Sequence, residues 1–193
     1  MNYMNRADEF KEILAGRLKE ERYIHSLNVA DSALELAKKF GCDCEQAYIA
    51  GLLHDVTKNE NEDKQLQMLK DDGIILSQTE LHNKKLWHAM SGAVYARRVL
   101  GIEDEEILGA IRYHTTGKAG MTLLEKVIYI ADYISAERDY SDVDVMRRLA
   151  DESLDKAALY SLKFSLKSLS KKEKLIHTDS VEFYNELIIK FQS

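Results

Sequence analysis

His54 and Asp55 stand side by side in AGLLHDVTK, at the polar end of a strongly apolar stretch. Neighbouring residues do not share one face of a helix. An imidazole and a carboxylate so placed can grip one cation only where the helix ends and its side chains converge. The dipeptide alone is also what a histidine capping a helix C-terminus beside a solvated aspartate would look like. Four further residues change the balance. His25 lies in ERYIHSLNVA, His88 opens WHAMSGA, His114 closes AIRYH, and Asp132 is embedded in VIYIADYISAER. A lone carboxylate on so apolar a helix would be costly to desolvate. Singly, each is an ordinary hydrogen-bonded core position. Jointly they supply imidazoles and carboxylates, the donor types that hold hard-to-borderline divalent metals in helical bundles.

The elements that must position these residues all read as helices. Phe10, Ile13, Leu14 and Leu18 form one stripe over residues 5 to 19. A second helix runs from Glu21 to Phe40, with Ile24, Leu27, Leu34 and Leu36 apolar and Gly41 as its stop. Asp43 with Gln46 caps AYIAGLLH, and Gly73 closes NEDKQLQMLKD. Ser77 with Glu80 forms a capping box leading towards WHAMSGAVYARRVL and its stop at Gly101. Asp104 starts EEILGAIRYH, Thr122 with Glu125 caps LLEKVIYIADYISAER, and two or three further helices follow from Ser141. The connections KNENED and HTTGKAGM are short and polar. No repeat or linker divides the chain, so residues 1–193 are expected to form one all-α domain, with a motif-bearing core at about 20–140 and C-terminal helices over 141–193.

Composition supports that class and removes others. The 193 residues contain no proline, where average usage of about 5% would give about ten. Sandwiches, barrels and loop-rich α/β folds usually recruit proline for their turns. The 27 basic and 33 acidic side chains leave a net charge of -6, which weighs against bulk nucleic-acid binding but not against a small phosphorylated ligand. The opening MNYMNRADEF has no apolar signal region and no run is long enough to span a bilayer, so the expectation is a cytoplasmic protein without membrane contact. Cys42 and Cys44 lie too close in sequence for an unstrained bridge and have no second pair to complete a zinc site; they read as inert.

The order His25, His54-Asp55, Asp132 resembles the H…HD…D pattern of the HD-domain superfamily of metal-dependent phosphohydrolases. RYIHSLNVA, AGLLHDVTK, WHAMSGA, YHTTG and IADYISAER together resemble its YqeK-type branch, the symmetrical bis(5′-nucleosyl)-tetraphosphatases. The similarity runs from about Arg22 to Arg138, and IHTDSVEFYN resembles that branch's C-terminal segment, with Thr178 where a proline often stands. The resemblance implies an HD-domain helical bundle whose metal site lies among several helices. It implies one or two divalent ions, iron first and manganese or another transition metal as alternatives. His25, His54, Asp55 and Asp132 would be the metal ligands, with Asp55 able to bridge to a second ion. Asp55, His88 and His114 would be the catalytic group. A metal lowers the pKa of bound water from about 15.7 to about 7 and neutralises charge on phosphoryl oxygens, so no serine or cysteine nucleophile is needed.

Arg22, Lys58 and Arg138 lie at short offsets from these positions and suit an anionic polyphosphate; Thr115, beside His114, offers a hydroxyl or an N–H. With His88 and His114 they make up the expected substrate contacts, and His177, Tyr184 and Asn185 are candidates for a base or ribose. His82, in TELHNKK, reads as surface. The activity implied is hydrolysis of a dinucleoside polyphosphate, diadenosine tetraphosphate, into two molecules of ADP. Two alternatives stand beside it. One is another HD-type enzyme, a 5′-nucleotidase or a cyclic-nucleotide or alarmone hydrolase; the other is a nucleotide-binding regulatory protein with a structural metal. Trp87, Tyr95 and the C-terminal helix are candidates for a homodimer contact.

Overall fold

A computed structural model describes residues 3–192. Its helices are α1 (Ala7–Arg17), α2 (Glu20–Phe40), α3 (Cys44–Leu53), α4 (Glu62–Asp71), α5 (Gln78–His82), α6 (Trp87–Arg98), α7 (Glu105–Tyr113), α8 (Leu123–Ile134), α9 (Val143–Glu152), α10 (Leu154–Lys171) and α11 (Thr178–Gln192). Among the described residues there is no strand. The all-α reading therefore holds.

Helix α3 is apolar nearly all round, as a helix at the centre of a bundle must be. Ala47, Ile49, Ala50, Gly51, Leu52 and Leu53 are all buried. It packs on α2, α7 and α8, while α6 covers α7 and α10 lies along α8. The approach of α2 is set by small residues. A Cβ added at Gly51 would sit 2.9 Å from the Cα of Ala30, so only glycine fits there. A smaller core of Leu69, Leu86, Trp87, Met90 and Val94 joins α4 to α6.

Most of the helix signals fall where the sequence puts them. Gly41 closes α2 in the left-handed region at φ 77°, and Thr122 with Glu125 forms a complete capping box on α8. Four expectations are corrected. Leu18 is extended, which ends α1 at Arg17 rather than residue 19. Ile24 is exposed and Leu34 half-buried; α2 instead buries Ser26, Val29, Ala30, Ala33, Leu36 and Ala37, because a close helix crossing selects small side chains over large ones. The Ser77–Glu80 capping box opens the five-residue α5, and non-helical Asn83 separates it from α6. Finally, α8 stops at Ile134 because Ser135 turns extended, so Arg138 lies in the following loop and not on the helix.

Trp87 is a fifth correction. It is buried in the smaller core and donates its indole N–H to the Glu80 carbonyl at 2.8 Å, so it is not available to a partner subunit. His82 is exposed and Cys42 and Cys44 are unpaired, in line with the sequence reading.

Candidate metal centre and adjoining cleft

Five helices deliver one side-chain cluster. His25 comes from α2, His54 and Asp55 from the C-terminus of α3, His88 from the first turn of α6, His114 from the C-cap of α7, and Asp132 from the last turn of α8. Three overlapping trios each bring their ligand atoms within 4.8 Å of one another: His25, His54 and Asp55; His54, His114 and Asp132; and Asp55, His88 and His114.

Asp55 faces both ways. Its Oδ2 lies 3.5 Å from His54 Nε2 and 4.0 Å from His25 Nε2. Its Oδ1 lies 3.1 Å from His88 Nε2 and 3.6 Å from His114 Nε2. One carboxylate thus borders two groups of imidazoles, an arrangement suited to bridging.

The histidine tautomers follow from their other ring nitrogens. His54 Nδ1 donates to the Gly51 carbonyl at 2.6 Å, His88 Nδ1 to that of Lys85 at 2.7 Å, and His114 Nδ1 to that of Ile111 at 2.8 Å. A carbonyl can only accept, so each Nδ1 carries the proton and each inward Nε2 presents a lone pair. Lys58 donates its ammonium to His88 Nε2 at 3.0 Å, which fits that assignment. His25 donates its Nδ1–H to the Glu137 carboxylate, and its Nε2 lies 3.0 Å from Asp132 Oδ1.

Two acceptors facing each other in a buried site repel unless a cation lies between them. His25 Nε2, His54 Nε2 and Asp55 Oδ1 are buried without a hydrogen-bond partner. Orphaned acceptors, each held from behind by a fixed donor–acceptor contact, are what a divalent cation requires of its ligands. The residues present fit a metal.

Electrostatics points the same way. Burial pushes the His54 imidazole down to about 3, so it is neutral and able to ligate. Burial also lowers His88, against the pull of the Asp55 carboxylate. For Asp55, burial alone would raise the carboxyl, but its polar surroundings, the Lys58 ammonium among them, outweigh it and hold it well below the usual range. Asp132 follows the same pattern, with burial opposed by His25, His54 and Arg138.

The cations ring this cluster. Arg22 Nη1 lies 2.8 Å from Asp55 Oδ2, and Lys58 Nζ is 3.6 Å from Asp55 Oδ1. Arg138 folds back on α8, donating to the Asp132 carbonyl at 2.8 Å and to its Oδ1 at 2.5 Å. Thr115 Oγ1 is 3.1 Å from His114 Nε2 and 3.4 Å from His88 Nε2. The three C-terminal candidates lie elsewhere. His177 is buried beside Glu80 at 3.5 Å and accepts from the Asp179 N–H at 3.2 Å. Tyr184 is half-buried against the core and Asn185 is exposed. Their helix is nevertheless tied to the loop after His114, where Ser180 donates to the Thr116 carbonyl at 2.8 Å.

Glu137 is the residue that reading the sequence missed. Besides His25 it accepts from Asn28 Nδ2 at 2.7 Å and from Ser135 Oγ at 2.7 Å. These donors and its own backbone N–H overcome the effect of partial burial and bring its carboxyl down to about 2. Its only sequence signal was a position five residues beyond Asp132, in a stretch read as helix. Two recesses flank the cluster and share Arg138. One, of about 240 Å³, is polar and includes Lys19, Arg22, Asn59 and Glu137. The other, of about 340 Å³, is walled by aromatic rings.

The family profile for the HD domain matches residues 22–137, the span from Arg22 to Glu137 that holds the whole cluster. The chain belongs to the HD domain family. The HD domain implies divalent-metal binding, in agreement with the orphaned acceptors. A relative from Bacillus subtilis (strain 168), the symmetrical bis(5′-nucleosyl)-tetraphosphatase, is 42% identical over 96% of this chain and 98% of its own length. A protein of the same name from Halalkalibacterium halodurans is 36% identical over 97% and 99%. A crystal structure of a predicted HD superfamily hydrolase involved in NAD metabolism from Clostridium acetobutylicum superposes with a TM-score of 0.93 at 41% identity, covering 95% of this HD domain protein and 97% of that chain.

Proposed function

We propose that this protein hydrolyses diadenosine tetraphosphate symmetrically, releasing two molecules of ADP. The near-full-length likeness to relatives of that name supports the substrate and the position of the cut. The observation that carries the chemistry is Asp55, whose two oxygens border two sets of unprotonated Nε2 atoms inside a ring of Arg22, Lys58 and Arg138.

His25, His54, Asp55 and Asp132 are our metal ligands, with His88 and His114 completing a second position across Asp55. Iron is the first choice, and manganese or another transition metal the alternative, because neutral imidazole and carboxylate suit each of them. Such an ion, when bound, activates water and offsets phosphoryl charge. The chain's own part is to seat the polyphosphate. Arg22, Lys58 and Arg138 face its oxygens, and Thr115 offers a hydroxyl beside His88 and His114. Water attacks a phosphorus next to the central bridging oxygen, one P–O bond breaks, and the bridging oxygen leaves on the second ADP. His177, Tyr184 and Asn185 remain our candidates for a base or ribose at the α11 side.

We read the chain as one domain, since the main core continues from Tyr3 to Leu187. No helix among the described residues is long and apolar enough to cross a membrane. The unpaired Cys42 and Cys44 suit a reducing cytoplasm, where we place the protein. For a homodimer contact Tyr95 and the C-terminal helix α11 remain our candidates, with Val181 and Phe191 of that helix exposed.

Reaction in oxygen-18 water tests the cut. Symmetrical cleavage gives ADP as the single product, with label on the terminal phosphate of about half the molecules, because each event adds one water oxygen to one of two ADP. AMP and ATP in equal amounts would overturn it.

A further inference from the structure

The aromatic recess has no role in the metal centre, yet it opens onto it. Its lining joins His114, Thr115, Asp132 and Arg138 of the metal centre to Tyr133, Tyr140, Tyr160, Phe164 and Met146. Tyr133 and Tyr140 come from α8 and the following loop, Met146 from α9, and Tyr160 and Phe164 from α10. Phe164 is 61% exposed, which is unusual for a large apolar ring and puts it at the mouth.

The polar groups of the cleft are mostly spent within the protein. Tyr140 donates its hydroxyl to the Tyr133 carbonyl at 3.0 Å, Tyr160 donates to Asp142 Oδ2 at 3.0 Å, and Ser161 donates to the Ala158 carbonyl at 2.9 Å. What remains is the second carboxylate oxygen of the half-buried Asp142, an acceptor. The cleft therefore presents flat apolar faces, one acceptor and, where it meets the metal centre, a guanidinium. A ligand matching all three has a planar ring, a donor on its edge, and an attached anion.

We propose that this cleft binds one nucleoside of the substrate, its base stacked among Tyr133, Tyr140, Tyr160 and Phe164 and its amine or sugar hydroxyl donating to Asp142. This rests on the reading of the substrate as a dinucleoside polyphosphate. A cavity of about 340 Å³ is at the lower end of the roughly 300–1,000 Å³ usual for small-molecule sites, enough for one nucleoside and too small for the whole molecule. Arg138 also lines the polar recess on its far side, so the phosphate chain leaves the aromatic cleft across Arg138 and passes the metal centre. The cleft is then what sets the register of the cut, by fixing how far the first phosphorus lies from the ligands.

Phe164→Ala and Tyr160→Ala in the metal-loaded full chain test this, with ADP as the probe. Each is expected to weaken ADP binding about tenfold, the size of one base–aromatic stack. Inhibition by inorganic tripolyphosphate and metal content should stay within twofold of the parent. Nuclear Overhauser contacts from the adenine protons to tyrosine ring protons in the unmodified protein give a second readout that needs no variant. Unchanged ADP affinity, equal weakening of ADP and tripolyphosphate, or absence of those contacts would overturn the assignment. Release of AMP and ATP by the unmodified enzyme would instead refute the symmetrical reading and leave the ADP result to judge the cleft by itself.

Discussion

Gly51→Ala tests whether the α2–α3 crossing holds the metal ligands in place. The new Cβ would lie 2.9 Å from Ala30 Cα, 3.1 Å from Ala30 N and 3.1 Å from the Val29 carbonyl oxygen. Carbon atoms rest at about 3.5–4.0 Å, so the helices must part locally by roughly 0.6 Å or more. Every blocking atom is backbone, and Val29 and Ala30 are fully buried, so no side chain can swing aside. Overpacking of this kind costs about 1–3 kcal/mol, and the helix preference of alanine over glycine returns about 1. The net expectation is a loss of up to about 2 kcal/mol. His25 lies on one of these helices and His54 and Asp55 end the other, so the same shift spreads a ligand trio that now spans less than 4.8 Å. Metal affinity should fall about tenfold. Urea denaturation of the metal-free protein and titration against a competing chelator measure the two effects. Gly92→Ala is the control, since its Cβ would meet nothing closer than Ile111 Cγ2 at 3.4 Å and should leave stability equal or up to about 1 kcal/mol higher. A Gly51→Ala protein as stable as the parent, with metal affinity within twofold, would refute the reasoning.

Glu137→Gln should weaken metal binding about 10–100-fold with little effect on folding, because it loosens the group that fixes the His25 ring; a chelator titration showing parental affinity would assign Glu137 to the surface. Lys58→Ala should keep its metal but lose about one to two orders of magnitude in kcat/KM, the size of one charge-assisted hydrogen bond of about 1.5–3 kcal/mol; a change below threefold, measured on diadenosine tetraphosphate, would place that ammonium in solvent. Asp155 joins Lys126 on α8 at 2.7 Å to Lys190 on α11 at 2.6 Å, and these contacts, against partial burial, depress its carboxyl. A depressed carboxyl contributes stability above its unfolded pKa near 3.8 and loses it as pH falls through the lower folded value. Asp155→Asn should therefore cost about 1 kcal/mol at pH 7, after solvent screening, and progressively less as pH falls below 3.8. A difference independent of pH in denaturation curves would show that packing, not charge, is lost.

The sequence by itself determined the helical class, most helix starts and the identity of the cluster. Capping pairs such as Asp43–Gln46 and Thr122–Glu125 are local chemistry, written within three residues, and so is the stop at Gly41. The six chemical positions were legible because a histidine or aspartate on an apolar helix is costly without a purpose. The tertiary structure alone decided how those residues act together. That Asp55 faces two groups of imidazoles, and that Glu137 reaches back 112 residues to His25, depends on where five helices meet, and no spacing along the chain encodes it. The same holds for the aromatic cleft. Nothing in the spacing of Tyr133, Tyr140, Tyr160 and Phe164 marks them as a group, and the packing of α10 and the loop after α8 against α8 brings them to one side of the metal centre. Local propensity is set by neighbours in sequence, whereas lone pairs and ring faces are aimed by neighbours in space.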